Sequence, residues 1–289
     1  MTTIQMRHLL ALFCSLLIFS NQSDAQEIFG KAKNNYRNFS NKKTMVVSNS
    51  ADFTDLALND AVKSGWKISE YEFCTLERFE QMRRDTMFYF LLRVEGKFRR
   101  EGEASIEYLT LVKGGPASDK GISKMEEIVS LPLQAVGDES GKAFVFLPAF
   151  IDIIQEHIIN VGEDILKAYV GNSFYSNRIE EQGSKRIIFD RAEIGYQVTD
   201  EEIEEQFAGK VILADAAVVE EAVQKAEPQT IVSLVISPAE PKSGSFSYQM
   251  LIDTGTHSMV FFRRHKITSK LPAGFTREDI KRISIPFQK

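Results

Sequence analysis

Two apolar stretches decide the fold: TMFYFLL at residues 86–92 and TIVSLVI at residues 230–236. Almost every side chain in them is apolar, which is typical of a central strand that is covered on both faces of its sheet. Each stretch begins with threonine and follows a glycine by the same number of residues, Gly65 in the first case and Gly209 in the second. This shared spacing predicts that the chain repeats one structural plan and that the two threonines are equivalent.

Outward from these strands, the same elements recur in the same order. Short apolar runs at 44–47 and 186–189 each lead into a helical stretch, a second strand and a second helix before the central strand is reached. Polar turns follow the central strand, and the next strand at 105–111 alternates between apolar and polar residues, as a half-exposed strand does. We therefore predict an α/β (α+β) fold: two tandem related β-α-β-α-β-β-β units with mixed sheets, joined by a long amphipathic helix.

The joining helix is predicted from apolar residues spaced three or four apart, among them Phe150, Ile154, Ile158 and Val161. We expect it to begin at Pro148 or just after and to bury its apolar face in the core; an exposed patch along Ile154, Ile158 and Ile165 would instead favour a docking surface. The predicted organisation is a signal peptide at 1–25, a first α/β domain at 26–141, a long helix closing that domain at 142–171, a linker at 172–183 and a second α/β domain at 184–289.

The amino terminus predicts export. Residues 9–19 form an apolar run of signal-peptide length, and the small residues Ser23 and Ala25 precede a cleavage position before Gln26. A membrane-spanning helix needs about 20 apolar residues, and this run is shorter. A retained amino-terminal anchor is the alternative. We expect a protein of a Gram-negative bacterium that is periplasmic, outer-membrane-associated or extracellular, with no transmembrane segment after cleavage.

Composition and charge favour some classes of function over others. The formal net charge of −5 disfavours nucleic-acid binding, which requires clustered Lys and Arg to neutralise phosphates. After cleavage Cys74 is the one remaining cysteine, and we interpret it as a small buried apolar residue. His157, His257 and His265 lack the spacing of metal ligands. The sequence therefore predicts no metal and no cofactor.

Two local motifs are candidate sites. Asp253-Thr254-Gly255-Thr256 resembles the active-site loop of aspartic proteases, in which Asp253 would share a proton with a second carboxylate. No second Asp-Thr-Gly exists in the chain, so Asp253 is a remote catalytic candidate. The alternative is a turn between two strands, with Gly255 in a left-handed conformation.

The second candidate site is the turn after the first strand, Ser48-Asn49-Ser50. An α/β unit can hold a small anionic ligand at the helix start that follows its first strand. This turn has hydroxyl groups but no glycine, so ordinary helix capping is the alternative.

The order β-α-β-α-β-β-β in each half resembles the α/β domain found at the amino terminus of TolB and in CsgG-type envelope proteins. The resemblance implies an envelope scaffold or assembly role without chemistry of its own. We predict a non-catalytic secreted or periplasmic protein that acts as a scaffold or protein-interaction module and binds another envelope protein, and we leave open a homodimer. The alternatives are a small-ligand-binding protein that uses the inter-domain cleft, and an aspartic-type hydrolase acting through Asp253-Thr254-Gly255.

Overall fold

The computed structural model describes residues 18–20, 36, 38–97, 103–163 and 172–288. The first half contains the strands β1 (Ile18–Ser20), β2 (Lys43–Val47), β3 (Tyr71–Cys74), β4 (Phe88–Lys97), β5 (Ile106–Lys113) and β6 (Glu126–Ala135) and the helices α1 (Phe53–Gly65), α2 (Leu76–Met82) and α3 (Lys142–Glu163). The second half contains the helices α4 (Asn172–Asn177), α5 (Asp200–Gln206), α6 (Ala216–Gln224) and α7 (Arg277–Ser284) and the strands β7 (Arg186–Asp190), β8 (Val211–Ala214), β9 (Thr230–Ile236), β10 (Phe246–Asp253) and β11 (Met259–Lys266).

The two halves have the same sheet topology. The strand order is β3-β2-β4-β5-β6 in the first sheet and β8-β7-β9-β10-β11 in the second, and β1 pairs with β4 outside this order. In both sheets the first three strands along the chain are parallel and the last two pair antiparallel. The prediction of an α/β fold with two tandem related units and mixed sheets is confirmed.

The register of the sheets corrects one detail of the repeat. Lys43 at the start of β2 pairs with Phe88, and Arg186 at the start of β7 pairs with Thr230. Thr230 is therefore equivalent to Phe88, whereas Thr86 lies in the turn before β4. The prediction that the two threonines match was wrong because the connection after the first helix is longer in the first half, which offsets the glycine-based alignment.

The two halves share one hydrophobic core. The larger cluster of buried side chains contains residues of both sheets, for example Leu109 from β5 and Met250 from β10. At its centre the hydroxyls of Tyr108 and Tyr248 lie 2.9 Å apart, and the two rings meet edge to face. These tyrosines are equivalent, since one pairs with Val94 and the other with Ile236 in the same register. A contact between equivalent residues is what two halves related by a twofold axis produce.

Helix α3 supplies much of this core. It begins at Lys142, where the predicted segment 142–171 begins, and not at Pro148, which lies inside the helix. Phe150, Ile154 and Ile158 are buried, which confirms that its apolar face is core; Ile165 lies outside the described residues. Within the described residues, 142–162 form the one helix that is long and apolar enough to cross a membrane, and 61% of its most apolar window is buried inside the structure. Packing therefore accounts for its apolarity.

Two predicted segments flank these units. Of the predicted signal peptide, only Ile18–Ser20 is described, and these residues pair in parallel with Glu95–Lys97 of β4. Export stays a prediction. The segment expected to link the two domains, 172–183, contains α4 and a 3₁₀ turn at Arg178–Glu181. Ser176 in α4 donates a hydrogen bond to the carbonyl of Phe262 in β11, so this segment packs on the second sheet.

Candidate functional site

The predicted binding residues Ser48, Asn49 and Ser50 lie at the carboxyl end of β2. From β2 the chain crosses to β3 on one side, while β4 lies on the other side. In open α/β sheets, ligands bind where neighbouring connections diverge in this way. The topology therefore places these three residues at the conventional ligand edge of the first sheet.

Asp55, near the start of α1, holds this loop in place. One of its carboxylate oxygens accepts the amide of Asn49 at 2.8 Å, and the other accepts the Nε of Arg93 at 2.7 Å. Asp52 caps α1 by accepting the amide of Asp55 at 2.9 Å. The side chain of Asn49 accepts the amide of Ala51 at 3.0 Å. The helix-capping interpretation of this turn therefore describes its internal hydrogen bonds.

Arg93, on β4, is the centre of a charged cluster. Its side chain is only 15% exposed and makes ion pairs with Asp52 and Glu107 at 2.8 Å each, in addition to the one with Asp55. Gln134 on β6 donates to Glu107 at 3.0 Å. Burial opposes the charge of Arg93, but Asp55 and Glu107 outweigh burial and raise its pKa above the ordinary value. The cluster ties β4, β5 and β6 to the start of α1.

This geometry decides which ligands the loop surface suits. Two carboxylates, Asp52 and Asp55, stand at the helix start where a phosphate would bind, and the amides of Asn49 and Ala51 are already used. An anion is therefore disfavoured. The loop presents Asn49, Ser50 and Ala51 to solvent, and it is followed by Phe53, which is 79% exposed.

Sequence reasoning missed Phe53 and Arg93. Phe53 directly follows the cap of α1, and the exposed Leu56 lies one turn further along the same helix. An apolar residue at the first helical position, out of phase with the buried Leu58 and Val62, was the available signal for an exposed ring. Arg93 lies in a strand that reads as core, and no local pattern reveals its three partners.

Asp253 is a structural residue of the β10–β11 turn. One carboxylate oxygen accepts hydrogen bonds from the amides of Gly255 and Thr256 at 3.0 and 2.8 Å, and the other accepts one from the ammonium group of Lys185. Burial opposes ionisation, but the hydrogen bonds from Lys185 and Thr256 outweigh it and keep the pKa of Asp253 below its ordinary value. The left-handed residue of this turn is His257 rather than Gly255, a correction to the predicted turn. These hydrogen bonds hold the turn together and attach it to Lys185, which directly precedes β7.

The three histidines have separate structural partners. The ring of His257 bonds Asp152 of α3 at 2.7 Å, and His265 bonds the carbonyl of Pro272 at 2.7 Å. Buried His157 lies between the hydroxyls of Tyr36 and Tyr175, at 2.9 Å from each. No group of three or more His, Cys, Asp or Glu that could hold a metal occurs in the part of the chain that the structure describes.

Cys74 is partly buried at the end of β3. Burial and the neighbouring Glu72 raise the pKa of its thiol to about 11, so the thiol stays protonated at neutral pH. A protonated thiol is a weak nucleophile. This is consistent with a packing role for Cys74.

A second charged cluster lies where the two halves meet. Lys142, at the start of α3, pairs with Glu193 at 2.6 Å and with Asp190 at 3.5 Å. Burial opposes its charge, but Glu193 outweighs burial and raises the pKa of Lys142. Lys142 and Gln134 line a small cleft of about 90 Å³ between β6 and β9. This cleft therefore joins the second cluster to the one around Arg93.

No family model, curated protein or solved structure matches the chain. The likeness in element order to TolB and CsgG-type domains therefore stays a resemblance.

Proposed function

We propose that this chain is a non-catalytic, exported binding protein that recognises another envelope protein through the loop surface of its first half. We define the loop surface as Asn49, Ser50, Phe53 and Leu56. The observation that carries the proposal is the exposed ring of Phe53, which follows a loop that Asp55 and Arg93 hold in place. The acidic residues at the helix start disfavour an anionic small molecule there and leave a protein surface as the better match.

The energetics of such a contact are favourable. Full burial of a phenylalanine side chain contributes roughly 1.5–3 kcal/mol, and aromatic anchors are common among the residues that dominate interface energies. Because the loop is already fixed by hydrogen bonds, little conformational entropy is lost when a partner covers it. Asn49 and Ser50 add exposed polar groups in the same loop.

Site-specific photo-crosslinking in the native host tests the proposal. A photoreactive phenylalanine analogue replaces Phe53, and the matched control places it at Ile285, which is 53% exposed in the second half. We expect one adduct of defined mass at position 53 and none at position 285. Equal, diffuse adducts at both positions, or no adduct at 53, would contradict the proposal.

A small-ligand-binding protein that uses the cleft between the halves is the second candidate. The observation in its favour is that Lys142 and Gln134 line this cleft. Its volume of about 90 Å³ is well below the roughly 300–1,000 Å³ of typical ligand pockets, so only a ligand of a few atoms fits. Thermal-shift screening with small polar molecules tests this candidate. A rise in Tm that Lys142→Met abolishes would support it, and no rise with any compound would contradict it.

A further inference from the structure

The outer part of β4 extends past the end of its neighbour β2. Strand β2 pairs with Phe88–Leu91 only, whereas β4 continues to Lys97. The carbonyl of Gly96 accepts the amide of Ser105 next to β5, so the backbone groups of Gly96 face β5. Because backbone groups alternate along a strand, those of Glu95 face the opposite side, the continuation of the β2 edge.

The second half closes the equivalent edge. Strand β9 ends at Ile236, so the second half has no strand at the positions equivalent to Glu95–Lys97. The carboxylate of Glu193 accepts the amide of Val235 at 2.8 Å, which caps the edge where β7 has ended. Short edge strands and charged residues are among the means by which proteins prevent pairing at an edge strand.

Among the described residues, the first half has neither of these features. The residue equivalent to Val235 is Arg93, and its side chain turns towards Asp55 and Glu107. Strand β4 continues through Glu95 to Lys97. Apart from its pairing with β1, the edge at Glu95 is therefore open within the described residues, whereas its counterpart is capped. The Arg93 cluster keeps the strand that carries this edge in place.

The structure shows what kind of group this edge accepts. Strand β1 pairs with it in parallel, in the register Ile18 with Glu95 and Ser20 with Lys97. These residues belong to the segment whose removal on export the sequence predicts. We propose that, once residues 1–25 are removed, the edge at Glu95–Lys97 binds an extended segment of the partner protein as an added parallel strand.

This inference rests on the proposed function and deepens it. Added strands bind through main-chain hydrogen bonds, so the partner segment is extended and free of proline along the paired residues. A strand in the β1 position lies in line with β2, beyond Ser48. The partner residues that precede the strand then lie against the loop surface, so the added strand and the contact at Phe53 belong to one interface.

Binding of a synthetic peptide to the chain 26–289 tests the inference directly. The probe is a peptide of residues 15–23, which contains the strand that pairs with β4. Glu95→Pro removes the amide that faces the added strand and leaves the bonds to β5 in place, whereas Glu95→Ala removes only the side chain. We expect wild type and Glu95→Ala to bind the peptide alike, and Glu95→Pro to bind it at least about tenfold more weakly, the equivalent of one or two lost hydrogen bonds. Equal affinity for both variants, or no binding by wild type, would overturn the inference.

If Glu95→Pro does not fold, a modified peptide tests the same hydrogen bonds on the wild-type protein. In a parallel pair the carbonyl of Glu95 accepts the amide of the residue after Ile18, which is Phe19. Methylation of that peptide nitrogen removes the donor without any change to the protein. We expect the methylated peptide to bind wild type at least about tenfold more weakly than the parent. Unchanged affinity would overturn the inference.

Crosslinking from position 53 separates this inference from the proposed function. An adduct that is lost in Glu95→Pro and retained in Glu95→Ala supports both. An adduct retained in both variants overturns strand addition while the binding function stands. Peptide binding that depends on Glu95 as described, with no adduct in wild type, supports strand addition and contradicts the loop surface as the partner site.

Discussion

Replacement of His157 by glutamine tests how the first half is held to α3 and α4. His157 is buried, and its two ring nitrogens meet the hydroxyls of Tyr36 and Tyr175. Tyr36 also donates to the carbonyl of Ile128 at 3.2 Å, so the network reaches β6. Burial lowers the pKa of His157 from 6.5 to about 3, and the ring is neutral in the folded chain at every pH above that value. Glutamine keeps a polar side chain at this position but has no group that binds a proton in this pH range.

The sign and size of the effect follow from linkage. Between the two pKa values the unfolded chain binds a proton at His157 and the folded chain does not, so stability falls as the pH falls. The contribution is fully present above 6.5 and is lost progressively down to the folded pKa. From about pH 7 to about pH 4.5, wild type therefore loses about 2.5 kcal/mol of unfolding free energy more than His157→Gln does. All other titrating groups are common to both proteins and cancel in the comparison.

Urea unfolding at a series of pH values gives this difference. Trp66 is the one tryptophan of the chain, is buried and donates to Ser69, so its fluorescence reports unfolding of the core. We expect the glutamine variant to be less stable at neutral pH by about 1–3 kcal/mol, because a buried hydroxyl loses its partner. The gap should then close as the pH falls. A gap that stays constant across the series would refute a neutral buried imidazole at this position.

Three further outcomes are expected from the same unfolding assay. Arg93→Met should cost about 3–5 kcal/mol, because Asp55 and Glu107 then lie partly buried without their cation; a loss below about 1 kcal/mol would show that these ion pairs are weak. Asp253→Asn should cost about 1–3 kcal/mol at neutral pH, and the loss should shrink as the pH falls through the depressed pKa of Asp253; a pH-independent loss contradicts the assignment. A double-mutant cycle of Tyr108→Phe and Tyr248→Phe should give a coupling of about 0.5–1.5 kcal/mol across the two halves; additive effects would mean that the hydroxyls do not interact.

Local patterns were sufficient to predict the repeated topology. The apolar central strands and the order of the elements around them are visible in the sequence, and the structure has both. Boundaries were less accurate, because α3 continues through Pro148 where a helix start was expected. Inside a helix a proline removes one backbone hydrogen bond. Tertiary packing stabilises the helix in spite of that loss, and sequence alone does not show that packing.

The charged and polar clusters could not be predicted from the sequence, for a different reason. His157 meets Tyr36 across 121 positions of the chain, and Arg93 meets Asp55 across 38. Periodicity shows which face of a helix or strand is apolar. It does not show which distant side chain contacts a polar residue on that apolar face. The position of the loop after β2 follows from the predicted order of strands and helices. The exposure of the Phe53 ring depends on the direction in which α1 leaves that loop, and the sequence does not give this direction.

The core that the two halves share also sets the order of events during synthesis. When the ribosome has made the first half, its sheet is complete, but Tyr108 and the residues around it still lack their cover from β9, β10 and α6. The second half is then made over several seconds at roughly 5–20 residues per second. Throughout that delay an apolar face is open to solvent, as it would be in any truncated product. We therefore expect the nascent chain to require chaperone protection and a chain truncated in the second half to aggregate, because the apolar face of the first half then stays uncovered.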